Sequence, residues 1–103
     1  MTEITLENLK ELQSQGKTLV VDYKANWCQP CKILTPKLEA IEKDYPNVNF
    51  VAIDIDKCRN EVMELGIRSI PTVIFYKGSD IVERTHGVND QHVYKRILDT
   101  ING

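Results

Sequence analysis

The chain has 103 residues, 42% apolar and 27% charged, with a formal net charge of −2. That length suits one domain, 1–103, able to bury its own core without staples, and the interspersed charges leave no basic stripe for a nucleic-acid partner. No apolar run approaches a membrane span, and the N-terminus lacks a basic region followed by an apolar stretch, which reads as a cytoplasmic chain or an already processed one.

Leu6, Leu9 and Leu12 recur at helical spacing behind Thr5, a good cap, and Gly16 closes that helix. Lys17 to Ala25 follows as a strand whose Leu19-Val20-Val21 run predicts cover on both faces. Lys32 to Tyr45 reads as a helix with Leu34, Leu38, Ile41 and Tyr45 on one side and a kink at Pro36. Asn49 to Asp56 is the next strand, and Arg59 to Leu65 a short helix closed by Gly66. A loop through Ile70-Pro71 feeds the strand Thr72 to Lys77, which turns at Gly78-Ser79-Asp80 into a hairpin partner, Ile81 to Thr85. Asn89 or Asp90 caps a last helix bearing Val93, Ile97, Leu98 and Ile101. Helices alternate with strands before a late hairpin, so the fold class is α/β, a central mixed sheet flanked by helices on both faces.

The chemistry gathers where the first long strand meets its helix, at Trp27-Cys28-Gln29-Pro30-Cys31-Lys32. A helix N-terminus offers free N–H groups and a partial positive charge, which favour thiolate over thiol. Cys28 there is the exposed, acidified nucleophile. Cys31, three residues on, lies on the same side within reach of a disulfide and is the more buried sulfur. Pro30 fits the first turn, where no N–H is needed. Three cysteines cannot form a paired framework, so a redox pair plus a spare thiol, Cys58, in a reducing compartment is the simpler account. Cys58 reads as a small core or half-buried residue. Zinc needs about four ligands, and Cys58, His86 and His92 offer no second close-spaced pair, so no metal is expected. Asp22 shares a strand face with Val20, and burial should raise its pKa.

With these residues the chain resembles the thioredoxin family from its first helix to its last. The family's Val-Asp-Phe, Trp-Cys-Gly-Pro-Cys-Lys and Ile-Pro-Thr appear here as Val21-Asp22-Tyr23, Trp27-Cys28-Gln29-Pro30-Cys31-Lys32 and Ile70-Pro71-Thr72. The resemblance implies a thioredoxin fold and a protein-disulfide reductase without a bound cofactor. Its partners would be a thioredoxin reductase as electron donor and disulfide-containing client proteins. It implies that Asp22 relays a proton to and from Cys31 and that Pro71 is cis. Pro71 would then keep other ligands from the sulfurs and leave the Ile70 backbone to pair with an extended client. Trp27 would shield the site and touch partners. Pro30, Gly66, Ile67, Gly87 and Val88 fall on the family's apolar docking surface, with Gly87 permitting close backbone approach.

Two departures stand out. Gln29 replaces the usual glycine beside the exposed sulfur, which bears on redox potential and choice of reductase. Many bacterial members carry a lysine near the buried acid on the neighbouring strand, where Ile53 is the matching residue here. Lys24, on Asp22's strand face, either supplies part of that charge or is a solvated strand-end lysine. An oxidase or isomerase of an oxidising compartment is disfavoured by Pro30, where isomerase domains carry histidine, and by the missing leader. A pure interaction module would have no use for the whole Cys, Asp and Pro constellation. Nothing in the sequence requires more than a monomer.

Overall fold

The computed structural model describes residues 1–102. In chain order the elements are β1 (Thr2–Glu3), α1 (Leu6–Ser14), β2 (Thr18–Lys24), α2 (Gln29–Glu42), β3 (Asn49–Asp54), α3 (Arg59–Glu64), β4 (Thr72–Lys77), β5 (Asp80–His86) and α4 (Gln91–Asn102). A 3-10 turn, Ile55–Lys57, joins β3 to α3. The sheet order is β1-β3-β2-β4-β5, with β1, β3 and β2 parallel and β4 running antiparallel to both of its neighbours, β2 and β5.

β2 sits at the centre, and Leu19 through Tyr23 have no exposed surface at all. Its alternate side chains feed two cores. Leu19, Val21 and Tyr23 pack with Leu9 of α1, Val62 of α3 and Ile53. Val20 packs with Leu34, Leu38 and Ile41 of α2, Tyr94 and Leu98 of α4, and Phe75. Helices therefore cover both faces of a mixed sheet, as the alternating pattern predicts. Tyr23 and Tyr76 satisfy one another's buried hydroxyls at 2.8 Å inside the first core.

Local chemistry explains where the elements differ from the sequence reading. α1 is capped as expected: Asn8 N–H donates to the Thr5 hydroxyl at 3.1 Å, and Gly16 follows the helix with a φ of 73°. β1 was not predicted, because two polar residues carry no period, yet it adds an edge strand beside β3. α2 starts at Gln29 rather than Lys32, runs through Pro36 and ends at Glu42 rather than Tyr45. Tight i to i+3 bonds at Asp44 and Tyr45 replace the last helical turn just before Pro46. β3 stops at Asp54, whose carboxylate accepts the Asp56 N–H at 3.0 Å and turns the chain. The hairpin is longer than Ile81–Thr85 and carries a register shift at Phe75/Tyr76. Before α4, Asn89 does not cap with its side chain: its amide reaches the His86 carbonyl and the Tyr94 hydroxyl. Asp90 occupies the position ahead of the helix, and its carbonyl accepts the Val93 N–H at 3.0 Å.

Candidate redox site

The carboxyl end of β2 delivers the chain into α2 through Ala25, Asn26 and Trp27, and the sulfurs stand at the junction. Cys28 is the N-cap of α2, its Sγ accepting the Cys31 N–H at 3.3 Å. A sulfur at this position faces the unpaired N–H groups of the first turn and the positive end of the helix, the setting that stabilises a thiolate. Cys28 and Cys31 form a disulfide, with their Cα atoms 5.3 Å apart. Both cysteines are buried, 4% and 2% exposed, and pack on Ala25 with Ile55 and Ile70 nearby. The expectation of an exposed Cys28 is therefore corrected for this oxidised form. Capping its own helix folds the sulfur inward, and it is only marginally more open than Cys31.

Gln29 and Pro30 are exposed at the first two positions of α2. Among the described residues none other than glycine has a positive φ, so the backbone at Gln29 does not demand the family's usual glycine. Trp27 is 63% exposed, and its Nε1 donates to Asp56 at 2.8 Å. Arg59 grips the other Asp56 oxygen at 2.7 Å. Asp56 thus orients the indole beside the site, a role the sequence did not betray because two acids flanking Ile55 read only as a strand end.

The second wall is the loop before β4. The Ile70–Pro71 peptide is cis, as the resemblance implies. Pro71 is buried and Ile70 half-buried. Thr72 secures the loop, donating to the Ser69 carbonyl at 2.6 Å and lying 3.2 Å from His86 Nδ1. Gly87 N–H donates to the Pro71 carbonyl at 2.9 Å. Within the chain a Cβ at Gly87 would meet nothing within 4 Å, and the φ of 72° by itself favours glycine there. Val88 and Gly66 are exposed, whereas Ile67 is a core residue of the α1 and α3 face and lines the floor of a groove. That groove, about 390 Å³, runs from Trp27 past Val62 and Met63 to Ile70.

Asp22 lies beneath, fully buried on the sheet face that α2 covers, with neither oxygen hydrogen-bonded. Desolvation pushes its pKa up to about 7, with the Lys24 charge pulling the other way. The residue beside it on β3 is Ala52, which corrects the match to Ile53. The period of two sends Ile53 to the opposite face, into the core of Tyr23. Cys58 is free and half-buried, and burial raises its pKa, so it is a poor thiolate at neutral pH. Among the described residues no helix is long and apolar enough to cross a membrane.

A disulfide that caps a helix, faced by a cis-proline loop and underlain by a buried acid, defines a site for dithiol–disulfide exchange. The family model described as Thioredoxin matches residues 1–100. The chain is 40% identical over 90 residues to the thioredoxin of Mycoplasmoides gallisepticum, covering 87% of this chain and 90% of that one. It is 39% identical over 95 residues to the thioredoxin of Chlamydia muridarum, covering 92% of each. The oxidised mitochondrial thioredoxin 3 of Saccharomyces cerevisiae superposes with a TM-score of 0.84 at 31% identity, covering 96% of this chain and 94% of that one. The chain belongs to the thioredoxin family, and its Cys28–Cys31 pair is that of a protein-disulfide reductase, a thiol–disulfide oxidoreductase.

Proposed function

We propose that Cys28 is the attacking sulfur and Cys31 the resolving one in a cycle that carries electrons from a thioredoxin reductase to disulfide-containing client proteins. The reading is carried by one observation, the placement of Cys28 as the cap of α2, accepting the Cys31 N–H. In the reduced protein the Cys28 thiolate attacks a client disulfide, forming a mixed disulfide and expelling one client thiolate. Cys31 then gives its proton to Asp22 and attacks Cys28 Sγ. The client leaves with two electrons gained, and the Cys28–Cys31 disulfide is restored. A carboxyl that titrates near 7 can accept that proton and return it at neutral pH.

In this scheme Trp27, Gln29 and Pro30 form one rim of the client site, and Ile70, Pro71 and Gly87 the other. An extended client segment pairs with the Ile70 backbone. The protein works as a monomeric single domain in the cytoplasm, where a reducing poise leaves a third thiol such as Cys58 unpaired. The test is turnover of a disulfide-bonded protein substrate by catalytic amounts of the chain, driven by NADPH and purified thioredoxin reductase. Multiple turnovers are expected. If the oxidised chain accepts electrons only from glutathione, the reductase-linked assignment fails.

A further inference from the structure

Asp22 is a carboxyl group with nothing holding it. Both oxygens are buried without a hydrogen-bond partner, and its neighbours across the sheet are Ala52 on β3 and Val73 on β4. The same rung continues to β1, where Glu3 stands opposite Ala52. Glu3, Ala52 and Asp22 therefore share one face on three successive strands. Lys24 is on that face too, two residues along β2. Its ammonium reaches beyond the adjacent strand to Glu3 Oε1 at 2.7 Å, with Asn26 Oδ1 at 3.0 Å. Glu3 is two strand spacings from β2, about 10 Å, so the lysine stem extends over β3 to meet the Glu3 side chain, on the face that Ala52 shares. A large side chain at that position would stand in its way. The Lys24 side chain is only 17% exposed along this course. A cleft of about 510 Å³, lined in part by Glu3, Lys24, Ala52 and Cys31, joins the ion pair to the resolving sulfur.

We propose that Lys24, anchored by Glu3 across the gap at Ala52, is a positioning residue that fixes a positive charge near Asp22 and readies its carboxylate to take the Cys31 proton. The proposal rests on the role given to Asp22 above. The other charges around the cleft are paired or solvent-exposed. The Met1 ammonium pairs with Glu39 and Glu42, and Lys57 shares Glu3 at 3.0 Å. Asp54, opposite Lys24, accepts the Asp56 N–H. Lys32 on α2 also lines the cleft but is exposed, so solvent screens its charge, and the α4 residues in the core on this face are Tyr94 and Leu98. The opposing pull of Lys24 on the Asp22 titration agrees with this arrangement.

The experiment is an NMR titration of the Asp22 carboxyl in the oxidised full chain. Lys24→Met raises the midpoint by about half a pH unit, leaving about a quarter of the carboxyl ionised at pH 7 instead of half. Resolution of a mixed disulfide at pH 7 then slows about twofold, in proportion to the carboxylate remaining. Lys24→Arg restores both values. Glu3→Gln loosens the Lys24 ammonium but also removes a negative charge on Asp22's own face, so it is read as a difference. The midpoint shift it gives in the parent lies above the shift the same substitution gives in the Lys24→Met background, because only the parent loses the anchor. An unmoved midpoint in Lys24→Met, or a Glu3→Gln effect that is the same without Lys24, overturns the proposal. A normal resolution rate in Asp22→Asn would instead remove the role of Asp22, while the titration still reads the lysine.

Discussion

A Cys31→Ser protein mixed with an oxidised client accumulates a covalent adduct at Cys28, and its catalytic turnover falls by about three orders of magnitude or more. Cys28 keeps its place at the cap of α2, so the first exchange proceeds. With no sulfur within a helical turn to attack it, the mixed disulfide persists. Non-reducing electrophoresis and peptide mass spectrometry check the result, locating the client sulfur on Cys28. Cys58 cannot substitute, because it sits ahead of α3 with its thiol half-buried and its pKa raised by desolvation. The reciprocal Cys28→Ser protein forms no adduct and no turnover, since Cys31 is buried and lies inside the helix rather than at its cap. An adduct on Cys31 in that variant would reverse the two roles.

Asp22→Asn has two opposite effects that separate chemistry from folding. The carboxyl is pushed from 3.8 to about 7 chiefly by burial, which corresponds to about 4 kcal/mol of lost stability once the folded-state group is fully ionised. The sign follows from proton counting. Between pH 4 and 7 the native state holds a proton that the unfolded state has released, so native stability falls as pH rises through that window and levels off above it. Asparagine removes the charge, so the variant is more stable than the parent by up to about 4 kcal/mol at pH 8 and gains little at pH 4. Its unfolding midpoint in guanidinium at the two pH values checks this. Resolution of the mixed disulfide meanwhile slows by about 10²-fold or more near pH 7, the scale of one lost general base. Equal stability gains at both pH values would contradict the burial of an ionising Asp22.

The parts of the molecule legible in the sequence are those where local chemistry and tertiary packing agree. Leu19-Val20-Val21 could only be a strand covered on both sides, and Thr5 with Asn8 closes a reciprocal cap that needs nothing else from the fold. The site was legible because it is built from contiguous residues at a strand–helix junction together with Ile70-Pro71, and the cis bond followed from the resemblance alone. What could not be read is set by cross-strand registration. Thr2–Glu3 pair with β3 only because Val51 and Ala52 lie beside them. For the same reason the residue next to Asp22 is Ala52, one position from Ile53. Cys28 was expected to be exposed because a cap lies at a helix end, but its sulfur turns inward onto the Cys31 N–H. The Asp56 contact with Trp27 joins residues 29 apart, and no local pattern announces it.

The equilibrium potential of the Cys28–Cys31 pair against glutathione decides whether it works as a reductant. Gln29 lies in helical backbone that accepts any side chain, and Pro30 is retained, so the expected value is about −270 mV, the figure characteristic of thioredoxins. A potential of about −180 mV or higher, the range of disulfide isomerases and oxidases, would show a pair tuned for isomerisation or oxidation and leave the fold without the reductase assignment.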